Sequence, residues 1–210
     1  MHRTKQAVDI FNRRAEDYQN KFMDFDLYND TFDLFCDLLP GSDACILDLA
    51  CGPGNITRYL LKKAPGFKIL GVDLSENMIR LAAANNPAAE FKLMDCRDIL
   101  SLAKKYDGVM CGFCIPYLSK EEAITLIRDA SEILNEKGVM YISTMEGDYR
   151  DSGLQQSSDG KDEMYRYFHQ EDYLIQAFSE SGFKKIHVER KDFPGQDGAT
   201  TKDLVIIAKK

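Results

Sequence analysis

No run in this chain approaches the roughly 20 consecutive apolar residues that a membrane-spanning helix needs, which excludes a transmembrane protein. The start, Met-His-Arg-Thr-Lys-Gln, carries no secretory apolar region, so a cytoplasmic location is expected. Positive charge is in short supply: 27 Lys and Arg stand against 34 Asp and Glu, a net charge of −7. Phosphate backbones repel such a chain on average, and its longest basic runs are pairs such as Lys62-Lys63 and Lys184-Lys185. No nucleic-acid or membrane partner is therefore expected. Histidine occurs three times, and Cys111-Gly-Phe-Cys114 has no second cysteine pair, so no metal site is expected. The six cysteines are expected as free thiols that pack as small hydrophobes. Tryptophan is absent, so tyrosine or extrinsic probes must report ligand binding.

What is present is an ordinary globular composition, 44% hydrophobic and 29% charged over 210 residues. One domain over 1–210 is expected, opened by a helical cap over 1–40 with helices over 4–19 and 27–39. Val8, Phe11 and Ala15 form one apolar stripe of the first helix. After Pro40-Gly41 the rhythm changes. Short apolar runs over 45–49, 67–72, 90–94, 106–112 and 138–144 read as strands, and amphipathic segments between them read as helices. Ser119 followed by Glu122 forms a capping box for the longest. Strands alternating with helices imply right-handed crossovers and a doubly wound α/β sheet covered on both faces. Residues 146–163 are polar and break the rhythm, so 146–169 is read as either a lid over the site or a surface insertion. A helix over 170–181 and strands over 183–193 and 201–208, joined by a Pro-Gly-Gln-Asp-Gly turn region, complete the chain.

Ligands of such sheets bind beyond the carboxyl ends of the strands. Gly52-Pro53-Gly54 lies at one such end, where glycine lets the backbone turn sharply and a ligand approach closely. A dinucleotide fingerprint would place a third small residue at position 57, and Thr57 stands there. Asp73 ends the next strand about 20 residues on, where an acceptor meets the two hydroxyls of a ribose. Asp95 ends the third and could accept from an exocyclic amine, while Met78 and Met94 could flank an adenine. Each Asp alone reads as a cap or turn residue; acidic residues at successive strand ends point further.

Ile46-Leu47-Asp48-Leu49-Ala50-Cys51-Gly52-Pro53-Gly54 resembles the first motif of class I S-adenosylmethionine-dependent methyltransferases. Val72-Asp73-Leu74-Ser75-Glu76-Asn77-Met78 resembles the family's second strand and helix start, Met94-Asp95-Cys96 its adenine-side motif, and Tyr106 to Phe113 its fourth strand. The resemblance implies a Rossmann-like sheet of seven strands, the last antiparallel and inserted between the fifth and sixth. It implies S-adenosylmethionine as cofactor, S-adenosylhomocysteine as product, and a site built from these motifs. Asp48, Ala50, Gly52 and Gly54 would form the floor, with the amino acid end held by the backbone of Ala50 and Gly52. Asp73 would bind the ribose beside Leu74 and Met78. Asp95 and Cys96 would hold the adenine, and Cys111 and Phe113 would line the path to the sulfonium. Tyr18 would close over the cofactor from the early helix, with Arg14 as a second candidate.

Cys114-Ile-Pro-Tyr117 stands where amino-group nucleic-acid methylators carry an Asp or Asn acceptor, and Cys114 is a poor acceptor. This counts against nucleic-acid methylation; a small-molecule acceptor is the leading expectation, with a protein substrate as the open alternative. His169, following Tyr165 and Tyr167 at two-residue spacing, is the candidate general base, and Tyr117 the candidate acceptor contact. Helix capping and packing are the ordinary alternatives for these two. A nicotinamide-dependent oxidoreductase and a non-catalytic S-adenosylmethionine-binding module are the competing functions.

Overall fold

The computed structural model describes residues 2–157, 160–194 and 200–210. Two helices, α1 (His2–Arg13) and α2 (Ala15–Phe22), occupy the span where one was expected. The break has a tertiary cause. Asn77 Nδ2 donates to the carbonyl of Asn12 at 2.8 Å, a group an unbroken helix would use four residues on. Helix α3 (Asn29–Leu38) follows and stops before Pro40.

The alternating segment then forms β1 (Cys45–Leu49), α4 (Asn55–Lys63), β2 (Lys68–Asp73), α5 (Glu76–Asn85), β3 (Glu90–Leu93), β4 (Tyr106–Gly112), α6 (Lys120–Ile133) and β5 (Leu134–Met145). Ser119 and Glu122 form the expected capping box of α6: Glu122 N donates to Ser119 Oγ at 3.3 Å and Ser119 N to Glu122 Oε2 at 2.8 Å. Strand β5 starts earlier than its apolar run, because Leu134 pairs with Tyr106 before a register shift. The polar stretch after β5 is a hairpin of β6 (Gly153–Gln156) and β7 (Glu163–Arg166). Helix α7 (Glu171–Glu180) and strands β8 (Lys185–Pro194) and β9 (Thr200–Lys209) complete the chain. Residues 195–199 of the expected turn region lie outside the described residues.

The seven-stranded sheet runs β3-β2-β1-β4-β5-β9-β8. Neighbours from β3 to β5 are parallel, and β9 is antiparallel to both β5 and β8. Leu204 to Ala208 of β9 are buried throughout, as an inner strand requires. On one face Leu47, Leu49 and Val109 pack with α6 and α7; on the other Ile46, Met110 and Tyr141 pack with Phe32 and Phe35 of α3. Each fully buried Leu, Ile or Phe contributes about 1.5–3 kcal/mol. These two layers hold the ends of β1, β2 and β4 in fixed register at one rim. Among the described residues no helix is long and apolar enough to cross a membrane.

Candidate active site

At the carboxyl end of β1 the backbone enters the left-handed region at Ala50 (φ 50°), Gly52 (φ 54°) and Gly54 (φ 80°). Phe113, at the end of β4, does the same at φ 53°. For Ala50 and Phe113 this strain costs about 1 kcal/mol or more each, and it sits at the rim where ligands of such sheets bind. The fold-back turns Gly52 N–H onto Asp73 Oδ2 at 3.0 Å, while Ser75 N–H meets Asp73 Oδ1 at 2.8 Å. Gly54 admits no side chain: a Cβ there would lie 2.3 Å from Asn86 Nδ2 and 3.3 Å from Ala82 Cα. Asn86 Nδ2 in turn donates to the carbonyl of Gly54 at 3.0 Å, fastening the loop to the end of α5.

The rim opens on a concave, largely apolar cavity, the usual form of a small-molecule site. Ala50 and Gly52 form the floor. Asp73, Leu74 and Met78 form one wall, Met94, Asp95 and Cys96 a second, and Phe113, Cys114 and Tyr117 a third. Thr4, Ala7, Val8 and Phe11 of α1, with Tyr18 of α2, form the roof. The stripe through Val8 and Phe11 was visible as a periodic pattern; what it covers was not. Asn12 ties the roof down, accepting from Asn77 N–H at 2.9 Å and meeting Ser75 Oγ at 2.9 Å.

Four of the expected site residues stand outside the lining. Asp48 lies beneath the floor, 1% exposed, with Oδ2 accepting from Thr57 Oγ1 at 2.7 Å. Its Oδ1 is buried without a hydrogen-bond partner, and burial pushes the carboxyl up to about 7. Thr57 thus spends its side chain on Asp48 where a dinucleotide fingerprint would have a small residue. Gly54 lies behind the floor at the start of α4. Cys111 is fully buried within β4.

His169 is the fourth. The face expected to carry Tyr165, Tyr167 and His169 together is divided: β7 ends at Arg166, and His169 forms a separate bridge with Glu146. Its ring turns into the core, where exposure is 0%. Nε2 is 2.7 Å from the carbonyl of Ile115, so Nε2 carries the proton and Nδ1 accepts from the Tyr173 hydroxyl. Burial holds this ring neutral, with its pKa lowered to about 4. No free ring nitrogen is left for a substrate proton. Tyr117, by contrast, lines the cavity, edge-on to Phe11 at 5.2 Å.

The electrostatics of the walls differ. Burial raises Asp73, while the backbone N–H groups on it oppose the rise. Burial also pushes Asp95 up, but Arg97 more than offsets it and holds the carboxyl below its ordinary range. Arg97 Nε lies 3.0 and 3.1 Å from the two Asp95 oxygens, and its Nη1 reaches Glu122 at 2.7 Å. Cys96 and Cys114 meet at 3.4 Å between sulfurs, and this contact together with burial keeps Cys96 a thiol. Among the described residues no cluster could hold a metal ion.

Residues 46–138 match the family model of a methyltransferase domain. Demethylmenaquinone methyltransferase of Thermotoga maritima is 28% identical over 146 residues, covering 66% of this chain and 61% of that protein. The chain spans 31% to 61% of the length of the first curated relatives it matches. Two solved structures are similar at low identity. One is 1,6-didemethyltoxoflavin-N1-methyltransferase of Burkholderia thailandensis with bound 1,6-didemethyltoxoflavin and S-adenosylhomocysteine. Its TM-score is 0.71 at 21% identity, over 98% of this chain and 88% of that one. The other is magnesium protoporphyrin IX methyltransferase of Synechocystis PCC 6803 with bound SAM, at TM-score 0.70 and 18% identity, over 97% and 96%. Identities this low establish a shared fold.

Proposed function

We propose that this chain, whose residues 46–138 match the methyltransferase domain family, is a class I S-adenosylmethionine-dependent methyltransferase and moves a methyl group from that donor to a small-molecule acceptor. The observation that carries this reading is the bond from Gly52 N–H to Asp73 at 3.0 Å, which fixes an acidic strand tip beside a floor of small residues, Ala50 and Gly52. The residues present fit the donor. Asp48 offers a buried oxygen that has no partner. Asp73 stands at the wall for two ribose hydroxyls, and Leu74, Met78 and Met94 give apolar faces to a base. Asp95 would share its carboxylate between Arg97 and the exocyclic amine. When bound, S-adenosylmethionine supplies a methyl carbon already activated by its sulfonium.

The chain's own contribution is then to align an acceptor in line with that carbon and to keep water out. The roof of α1 excludes water, and Tyr117 contacts the acceptor. The buried ring of His169 supports a bracing role in place of the expected base. The titratable groups of the lining are aspartates, cysteines and tyrosines. Acceptors that attack with their own lone pair, such as carboxylates, thiolates and amines, suit such a lining better than alcohols, which benefit from a base.

The test is a dye-monitored melting experiment with S-adenosylhomocysteine and with NADH, followed by a labelled-methyl turnover screen over small acids, phenols, amines and thiols. S-adenosylhomocysteine is expected to raise Tm where NADH does not, and Tyr117→Phe to alter KM more than kcat. A protein that melts at the same temperature with and without S-adenosylhomocysteine contradicts the proposal.

A further inference from the structure

Arg166 is the last residue of β7. Side chains alternate along a strand, so Arg166 shares its face with Met164, which is 4% exposed, and not with Tyr165. The Tyr165 side points outward, where Arg3 covers the ring at 3.7 Å from its centroid. Arg166 therefore projects inward. The next residue stitches this strand end to the turn beyond β4: Tyr167 N–H donates to the carbonyl of Pro116 at 2.8 Å, one residue before Tyr117. Arg166 hydrogen-bonds the Tyr117 phenol, and this bond and its charge draw the phenol's pKa down against the upward push of burial.

The Nε of this guanidinium is buried and has no hydrogen-bond partner among the described residues. In a chain with 34 acidic residues this is unusual. Arg97 and Arg190 each hold two carboxylates, and Arg13 and Arg14 share Asp162. A guanidinium cannot shed its charge, and burying one without a counter-ion is costly. The half-buried fork of Arg166 sits against Tyr117, a lining residue of the cavity, and among the described residues no carboxylate pairs with it.

We infer that the acceptor is a small carboxylic acid, and that Arg166 is the specificity-determining residue that takes its carboxylate beside Tyr117. The inference rests on the methyltransferase reading and names the substrate class of the same site. One guanidinium matches one carboxylate in charge and in planar geometry. A dianionic phosphate would bring a second negative charge into a cavity whose lining holds Asp73 and Asp95 and no Lys, Arg or His among the described residues. The apolar roof of Ala7, Val8 and Phe11 favours an acid with a hydrocarbon body.

The test uses the whole chain loaded with S-adenosylhomocysteine. Benzoate, phenylacetate, hexanoate and succinate are titrated in parallel with benzamide, phenylacetamide, hexanamide and phenyl phosphate. The readouts are melting temperature and the Arg166 Nε–H nitrogen resonance, assigned by its loss in Arg166→Lys. At least one carboxylate is expected to raise Tm and shift that resonance, with its amide and phenyl phosphate inert. Arg166→Met should weaken that carboxylate by about tenfold or more, leave S-adenosylhomocysteine affinity unchanged, and melt no lower than wild type without acid. A merely structural Arg166 would lower Tm on substitution and leave carboxylate binding alone. Normal S-adenosylhomocysteine binding with no response to any carboxylate, or equal carboxylate binding by Arg166→Met, overturns the inference alone. Loss of S-adenosylhomocysteine binding in wild type overturns the methyltransferase reading and this inference with it.

Discussion

Asp73 takes two backbone N–H groups from loops beside it, whereas Asp162 takes two arginines from the opposite end of the chain. The first carboxylate stands on the wall and is bonded to the floor through Gly52; the second lies outside the lining and fastens the roof. The floor is built from strand ends, left-handed backbone and peptide N–H groups, which have few alternative positions. The roof is α1 held by side chains: Arg13 and Arg14 on Asp162, Gln6 on the Glu163 carbonyl, Arg3 on Tyr167. Arg13 is 61% exposed, so its ion pair is screened by salt and weak. The difference is one of construction: the floor is fixed by backbone geometry, and the roof is fastened by side chains, several of them exposed.

The largest expected effect is on the floor. Gly54→Val should lower stability by about 3 kcal/mol or more in urea unfolding, because it forces a left-handed branched residue and displaces the Asn86 side chain. A variant as stable as wild type would show that the floor yields as easily as the roof.

Asp48 gives an effect of similar size and opposite sign. Its folded pKa of about 7 lies above the unfolded value of about 3.9, so the folded state takes up the proton first as pH falls. Wild-type stability from this group should rise as pH drops from about 7 toward about 4. Asp48→Asn should remove that slope, stabilise the ligand-free protein by on the order of 3 kcal/mol at about pH 8, and weaken S-adenosylhomocysteine by about tenfold. Calorimetric melting across pH and titration of the ligand measure both. Unchanged ligand affinity would detach Asp48 from the site.

His169 sharpens the comparison from the roof side, where β7 returns to the core. His169→Phe leaves the Ile115 carbonyl and the Tyr173 hydroxyl without their partner and should cost about 2–4 kcal/mol. The folded pKa of about 4 lies below the unfolded 6.5, so the stability that neutral His169 gives is present above 6.5 and lost as pH falls toward 4. The gap between wild type and variant in urea unfolding should therefore narrow over that window. A gap independent of pH would place the ring in water.

The smallest effect belongs to the ion pairs of the roof. Arg13→Gln, which removes the 61% exposed partner of Asp162, should cost less than about 1 kcal/mol, and the cost should vanish in high salt. Paired denaturation curves at low and high ionic strength decide it.

Much of the floor was legible because its determinants are local. Cys45 to Leu49 is an apolar run ended by glycines, and Asp73 follows at the end of the next one. Leu204 to Ala208 carries no polar residue, in keeping with the inner place of β9 in the sheet. The order of the sheet came from the family resemblance, since no spacing dictates which strands become neighbours. The roof was legible only as a stripe through Val8 and Phe11. The break at Arg14 depends on Asn77, and the burial of His169 on Ile115 and Tyr173, contacts no local pattern announces. The hairpin over 153–166 was hidden because its residues are polar and it packs on α1 instead of on the sheet. The placement of Arg166 follows from that hairpin and was equally out of reach.

The central claim is that the floor recognises the adenosyl sulfonium donor through Asp73. Calorimetric titration of S-adenosylhomocysteine into folded wild-type protein and into Asp73→Ala tests it most directly. One molecule should bind per wild-type chain, and Asp73→Ala should bind at least about tenfold more weakly at equal fold stability. Absence of heat with wild type, or equal affinity in the two proteins, would contradict it.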